Sequence, residues 1–364
     1  MSNIAVVVGT RPEVIKMAPV IREFKKRKID FAFIHTGQHY DYEMSKIFIE
    51  ELKLPKPDWS FMLKNRKPAS QIGEMMTKLE KVLIEINPIF LLIQGDTNTM
   101  LAAALTGVKM GIPIGHIEAG LRSYDWRMPE EHNRRMVDHV SEILFAPTEK
   151  ARKNLENEHV YGKIFVTGNT VIDAVLQHIE IAEKSSRIMS KIPFKEYILI
   201  TAHRAENVDD PKVLKNFVEA FIELPIPAVY PMHPRTMRRL KENNLYNKLS
   251  SSDKILLLPP VGYLDMLVLM KNCKLILTDS GGLQEEATAP SIRKPVLVLR
   301  QSTERPEAVE AGFAKIVGTK KMEILKEVGK TLNSNLKLPS TSPFGDGKAS
   351  ERIVNILIKE LNLY

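Results

Sequence analysis

Five cationic side chains, Arg11, Lys16, Arg122, Arg204 and Arg305, gather in the polar turns that follow short apolar runs, and the chemistry they suit is the grip of an anionic ligand. These turns are dense in functional groups. Gly9-Thr10-Arg11-Pro12-Glu13 and then Lys16 follow the run Ile4–Val8, and Gly37-Gln38-His39 follows Phe31–Thr36. Gly95-Asp96-Thr97, Glu118-Ala119-Gly120-Leu121-Arg122, Ala202-His203-Arg204 and His233-Pro234-Arg235 follow later runs of the same kind. After Leu275–Thr278 comes Asp279-Ser280-Gly281-Gly282-Leu283-Gln284-Glu285-Glu286. A small-residue turn opening a helix near Leu283 presents backbone N–H groups and the positive end of a helix dipole, so Ser280, Gly281 and Gly282 are candidates for holding a diphosphate. Arg11, Lys16 and Arg305 are the candidate opposing cations.

Each residue taken singly has a plainer reading. Asp96, Asp279 and Ser280 are good helix N-caps. Arg11 and Glu13 suit a surface ion pair, His35 and His116 lie inside apolar runs as core histidines, and Glu130-Glu131 behind Pro129 suits a helix dipole. Capping does not call for five cations at one edge, whereas an anionic ligand does. Competing signatures are missing. The first turn is not Gly-x-Gly-x-x-Gly, and no Gly-x-x-x-x-Gly-Lys-Ser/Thr, Gly-x-Ser-x-Gly or His-Glu-x-x-His occurs. Gly345-Asp346-Gly347-Lys348 follows no strand and only echoes a phosphate loop. A metal shared by Asp96, Glu118 and Glu131 has little support from carboxylates without histidine spacing, so no metal is expected.

The elements that must position these turns are legible in the alternation of β-branched runs with amphipathic stretches of helical length. Twelve runs read as strands: Ile4–Val8, Phe31–Thr36, Phe90–Gln94, Pro113–Ile117, Ile143–Ala146, Ile164–Thr167, Tyr197–Thr201, Ala228–Met232, Ile255–Leu258, Leu275–Thr278, Val296–Arg300 and Lys315–Val317. Helical patterns such as Val14–Lys26, Ala69–Ile86 and Val213–Phe221 lie between them. Strands apolar throughout belong to a parallel sheet covered on both faces, and ligands then bind beyond the strands' carboxyl ends. The expected fold class is α/β, with two doubly wound Rossmann-like domains. The boundary is placed at Gly168-Asn169-Thr170, giving residues 1–168 and 169–344, with a helix near Ala349–Leu361 packing back on the first domain.

Bulk properties agree with a soluble globular protein. The chain has 364 residues, 44% hydrophobic and 26% charged, more than one core usually supports. Its net charge of +8 lacks any zinc-finger or RNA-recognition signature, so no nucleic acid is expected, and the basic run Lys25–Lys28 reads as a solvated helix end. The first apolar run is too short for a signal peptide or a membrane span, which predicts a cytoplasmic protein with no membrane partner. The single cysteine, Cys273, enters an apolar run and reads as a buried thiol.

Taken together, the motifs above resemble those of the non-hydrolysing UDP-N-acetylglucosamine 2-epimerases. So do Pro129-Glu130-Glu131-His132-Asn133-Arg134, Ala202-His203-Arg204-Ala205-Glu206-Asn207, Thr303-Glu304-Arg305-Pro306-Glu307 and Gly345-Asp346-Gly347-Lys348-Ala349, in order along nearly the whole chain. The resemblance implies a GT-B-like fold with a cleft between domains, a homodimer, no added cofactor, and UDP-N-acetylglucosamine and UDP-N-acetylmannosamine as substrate and product. It implies Ser280, Gly281 and Gly282 on phosphate, Glu286 on ribose, and Arg11, Lys16, His203 and Arg305 on further parts of the nucleotide. Asp96, Glu118 and Glu131 would surround the sugar as acid/base groups, with His203 also in the catalytic set. A second, activating substrate site would use Gln38, Arg66, Arg204 and His233. The chain departs from the family where Ala205 replaces a common Arg, where Val261 and Met266 replace Gln/Glu and Phe near the uracil, and where Asp41 replaces a glutamine.

The implied reaction is anti elimination of UDP across C1 and C2, followed by re-addition with the proton returned to the other face. No hydride moves, so NAD is unnecessary. Three other readings share these residues: a hydrolysing epimerase, a retaining glycosyltransferase of the same fold, and a nucleotide-sugar sensor without turnover.

Overall fold

The computed structural model describes residues 4–38 and 49–363; His39 and Asp41 lie outside the described residues. The chain divides into two compact units, Met1–Ala174 with Phe344–Tyr364, and Val175–Pro343. Each is built on one parallel sheet. The first unit contains β1 (Ile4–Val8), β2 (Phe31–His35), β3 (Trp59–Ser60), β4 (Phe90–Gln94), β5 (Ile114–Ile117), β6 (Ile143–Ala146) and β7 (Lys163–Val166), in the order β3-β2-β1-β4-β5-β6-β7. The second contains β8 (Ile198–Thr201), β9 (Ala228–Pro231), β10 (Ile255–Leu258), β11 (Leu275–Thr278), β12 (Val296–Val298) and β13 (Ala314–Ile316), in the order β10-β9-β8-β11-β12-β13. All neighbouring strands run parallel.

The sequence explains the sheets directly. β1, β4, β5, β6, β8 and β11 are buried at every position, as runs such as Ile-Ala-Val-Val-Val must be when helices cover both faces. The two-residue β3, which pairs Trp59 with Ile34 and Ser60 with His35, is too short to give a periodic signal and was not among the twelve expected strands. Cys273 is a buried thiol whose pKa burial pushes up to about 12.

Strand order fixes where a site can form. In each unit the order reverses beside the first strand, between β1 and β4 and between β8 and β11, and turns leaving these strands flank a crevice. Gly9–Glu13 leaves β1 and Gly95–Thr97 leaves β4; Ala202–Arg204 leaves β8 and Asp279–Gly282 leaves β11. The motif turns therefore sit at the topological switch points.

The division of the chain falls inside the helix Thr170–Ser185, not at the Gly168–Asn169 turn. Two contacts hold this segment within the first unit. Gly168 (φ 87°) and Gly345 (φ 127°) approach so closely that a Cβ on Gly345 would lie 3.2 Å from the Gly168 Cα. The buried Asp173 carboxylate accepts from the backbone N–H groups of Ala349 (3.2 Å) and Ser350 (2.8 Å) and from the Ser350 hydroxyl (2.6 Å). Asp173 thus caps the helix Ala349–Leu361 from a distant part of the chain, and burial pushes its pKa up. Asp173→Ala is expected to cost about 1–2 kcal/mol and to release the C-terminal helix to protease first, while Asp173→Asn, which keeps an acceptor, costs less. Denaturation curves that coincide for the two variants would show that the cap contributes nothing.

Candidate active site

In the first unit, each turn beyond β1, β4 and β5 brings a carboxylate to the strand ends. Glu13 lies one turn into the helix Arg11–Arg27, where its side chain points back toward the helix start. It accepts from the N–H groups of Gly9 (2.8 Å) and Thr10 (2.7 Å) and from the Thr97 hydroxyl. The surface ion pair with Arg11 is therefore not formed: Arg11 is exposed and Glu13 buried. Burial raises the Glu13 pKa to about 7, even though the three hydrogen bonds favour the charged form.

Lys16, expected as a phosphate cation, is buried in contact with Glu118, and Gln94 Nε2 donates to the same Glu118 oxygen at 2.8 Å. Glu118 has left-handed backbone (φ 72°), unusual for a glutamate, and this is where the chain turns sharply out of β5. Asp96 is not a helix cap; that role falls to Thr97, whose hydroxyl accepts from Met100 N–H. Asp96 Oδ2 instead takes two hydrogen bonds from Arg134, at 3.0 Å from Nε and 2.8 Å from Nη2.

Arg134 also donates to Glu131 at 2.7 Å, so one guanidinium joins two of the three expected acid/base groups. Glu131 differs from the other two. It has no solvent exposure, against 31% for Asp96 and 5% for Glu118, and it accepts from Ser123 N–H and Oγ, Tyr124 N–H and Arg135 as well. Burial opposes its ionisation, but these donors outweigh it and hold its pKa below the usual carboxylate range. In this arrangement Glu131 shapes the Ser123–Tyr124 turn.

Arg122 is a correction to the cation set. Its guanidinium is buried against Asp138 (2.7 Å) and Glu158 (2.7 Å), and these partners raise its pKa against the opposing effect of burial. It braces the fold. Gln38 accepts from Thr99 N–H and Oγ1, both at 2.8 Å, and Arg66 is exposed; both belong to the first unit. His35 and His116 are core histidines, as expected, with His35 Nδ1 accepting from Gly37 N–H.

In the second unit, Asp279 is fully buried and holds the turn beyond β8, accepting from His203 N–H (2.9 Å), Arg204 N–H (2.9 Å) and Asn207 Nδ2 (3.1 Å). His203 Nδ1 lies 3.3 Å from the same carboxylate, and its ring neighbours His233 at 5.7 Å. His233 caps the helix Pro234–Glu242. Ser280 caps the helix Gly281–Glu286 through Leu283 N–H, so its capping reading holds. A Cβ on Gly281 would lie 2.4 Å from Glu304 Oε1, so a side chain there must displace that carboxylate; Gly282 meets only Ser280 Oγ, at 3.9 Å. Glu286 is buried on the same short helix.

Glu304 has no expected role, yet it organises this turn. It pairs with Arg300 at 2.6 Å and lies 3.7 Å from Arg204; burial alone would raise its pKa, but Arg305, Arg300 and Arg204 bring it down to about 2. Arg305 is buried against Glu285. The Arg204 Nε is buried without a hydrogen-bond partner, while its Nη2 lies 3.7 Å from Glu304. The signals for the unforeseen residues were modest. Arg134 stands three residues after Glu131, a helical neighbour, and Glu304 directly precedes Arg305. Among the described residues no group of three or more His, Cys, Asp or Glu side chains could hold a metal ion, and no helix is long and apolar enough to cross a membrane.

Two parallel-sheet units, each with its strand order reversing beside its first strand, define a doubly wound α/β protein with charged turns at its strand ends. A family profile described as UDP-N-acetylglucosamine 2-epimerase matches residues 22–358, and the chain belongs to that family. It is 48% identical to the UDP-N-acetylglucosamine 2-epimerase of Methanocaldococcus jannaschii, with 98% of each chain covered, and 47% identical to that of Methanococcus maripaludis, with 99% of each covered. A crystal structure of the M. jannaschii UDP-GlcNAc 2-epimerase in complex with UDP-GlcNAc and UDP superposes with a TM-score of 0.90, covering 98% of this chain and 99% of that one. The fold is GT-B-like.

The Glu13 carboxyl gives a pH test. Its folded pKa of about 7 lies above the ordinary 4.5, so the native state holds this proton more firmly than the unfolded chain does. The resulting stability is fully present below the unfolded value and is lost as pH rises through about 7. Relative to Glu13→Gln, the parent protein is expected to lose roughly 2–3 kcal/mol between about pH 4.5 and about pH 8. Denaturation profiles that stay parallel across that range would mean Glu13 is ionised throughout.

Proposed function

We propose that the protein interconverts UDP-N-acetylglucosamine and UDP-N-acetylmannosamine by inverting C2, without hydrolysis and without an added cofactor. The observation that carries the reading is the carboxylate set at the first unit's strand ends, where Asp96 is held by Arg134 and Glu118 by Lys16 and Gln94. The C2 proton is not adjacent to a carbonyl, so simple deprotonation is too costly. As the C1–O bond breaks, positive charge develops on the ring and C2–H becomes acidic. In the α-linked glucosamine isomer the C1 oxygen and C2 hydrogen are both axial and opposed. A base takes the C2 proton, the C–H pair becomes the C1=C2 bond of 2-acetamidoglucal, and UDP leaves with the C1–O pair. Protonation of C2 on the opposite face with return of UDP to C1 gives the mannosamine isomer.

The reading assigns acid/base work to Asp96, whose side chain keeps 31% exposure, and to Glu118, buried between Lys16 and Gln94, and positioning to Glu131, which keeps Arg134 and the Ser123–Tyr124 turn in place. It assigns the diphosphate to Ser280, Gly281 and Gly282, with Arg11, Arg204 and Arg305 as cations and Glu286 on the ribose. The unsatisfied Arg204 Nε supports an anionic partner there. His203, as the imidazolium with Nδ1–H facing Asp279, donates from Nε2 to the departing phosphate.

Incubation with UDP-N-acetylglucosamine in D2O, read by NMR, tests this. Both UDP-sugars should appear with deuterium at C2, in EDTA and without NAD. Free N-acetylmannosamine as the main product would instead make the enzyme a hydrolysing one. Asp96→Asn and Glu118→Gln should each lower kcat by about 10²–10⁴-fold while UDP affinity changes little. Normal turnover in both would remove the carboxylates from the chemistry.

Arg11→Ala and Arg204→Ala should each weaken UDP about tenfold, the value of one charge-assisted hydrogen bond. Replacement of Gly281 by valine should weaken it further, since its side chain must displace the Glu304 carboxylate. Calorimetry showing unchanged UDP affinity in all three would move the diphosphate elsewhere.

A further inference from the structure

A fully buried ionic network lies behind the first unit's carboxylates. His116, in β5, places Nδ1 2.7 Å from Asp138 Oδ1 and Nε2 2.8 Å from the carbonyl oxygen of Gly95. A carbonyl only accepts, so Nε2 carries the hydrogen in this contact. Asp138 Oδ2 receives Arg122 at 2.7 Å and the N–H of Gly120 at 3.2 Å. Neither His116 nor Asp138 has any side-chain exposure. Burial disfavours the Asp138 carboxylate, but the hydrogen bonds and charges of His116 and Arg122 outweigh it and hold its pKa low.

The contacts of this network converge on two turns. Gly95 adopts φ 85° and immediately precedes Asp96; Gly120 adopts φ 84° and lies two residues beyond Glu118. One helix, Pro129–Val140, supplies the other restraints on the first turn, with Asn133 Nδ2 donating to the Asp96 carbonyl at 2.9 Å and Arg134 gripping its carboxylate. Asp138 projects from that same helix. We propose that His116 and Asp138 are positioning residues for turnover, setting the Gly95–Asp96 backbone relative to the Glu118–Gly120 turn so that the two acid/base groups stay in register. The inference rests on the roles assigned above to Asp96 and Glu118. Neither the His116 nor the Asp138 side chain has any exposed surface with which to touch substrate.

Two isosteric variants separate the links. In His116→Asn the amide reaches the Nδ1 position, keeping Asp138 and abandoning Gly95; in His116→Gln it reaches the Nε2 position, keeping Gly95 and abandoning Asp138. Displacing a catalytic group by about 1 Å costs on the order of 10²-fold. His116→Asn is therefore expected to lower kcat for C2 exchange by about 10–100-fold with KM and UDP affinity within about twofold, and His116→Gln to recover part of that loss, because it restores the Gly95 contact but not the Asp138 contact. Asp138→Asn, which can still orient His116 through its amide, serves if His116→Asn does not fold, and is expected to lower kcat with KM preserved. Parent-like kcat in whichever of these folds, or equal kcat losses in the Asn and Gln variants of His116, overturns the inference and leaves the assigned reaction standing. Absence of C2 exchange in the parent protein removes the reaction and the inference together.

Discussion

Backbone N–H groups in the turns beyond a parallel sheet have no ladder partner, and in this protein buried carboxylates satisfy them. Glu13 takes the N–H groups of Gly9 and Thr10, Glu131 those of Ser123 and Tyr124, Asp138 that of Gly120, and Asp279 those of His203 and Arg204. Asp173 does the same for the last helix. An unpaired buried N–H costs about 1–3 kcal/mol, so turns this irregular persist only where such acceptors are in place. The arrangement carries its own cost, because each carboxylate must leave water. Neighbouring cations and hydroxyls offset that cost: Arg134 and Arg135 at Glu131, His116 and Arg122 at Asp138, Thr97 at Glu13.

The helix Pro129–Val140 concentrates this device. Glu131, Arg134 and Asp138 recur at i, i+3 and i+7 and are all buried, so the inward stripe of this helix is charged where an ordinary helix would be apolar. A charged stripe packs only in one register, since a slide or rotation would leave desolvated charges unmatched. An apolar stripe would tolerate small shifts. The stability forgone is returned as definition of the turns after β4 and β5.

The architecture was legible from sequence because strands buried on both faces must be apolar throughout, and the polar interruptions then mark their carboxyl ends. Which residues meet was much less legible. Arg122 looked like one more cation of a ligand site, but its partners come later in the chain, Asp138 on one helix and Glu158 at the end of the next, and nothing local announces them. Glu13 was misread for a different reason. One residue separates it from Arg11 in sequence, yet the helix directs its side chain back over Gly9 and Thr10, away from Arg11. β3 escaped because two residues carry no periodicity.

The same carboxylate cannot serve equally well as a backbone acceptor and as a proton carrier. A carboxylate with its lone pairs on N–H groups and guanidinium loses hydrogen bonds when it takes a proton, so the surroundings that fix a turn resist proton transfer. Glu131 and Asp279 are on the fixing side of this division: both are fully buried, and both face several donors. Asp96 is on the other side, with its own backbone secured by Asn133 and by its neighbour's contact with His116, which leaves its side chain to Arg134 and to solvent. Reactive acids in such a site are therefore best sought among residues whose main chain is held by other groups, because a carboxylate gripped by N–H groups and guanidinium, as Glu131 is, gives up those bonds when it takes a proton.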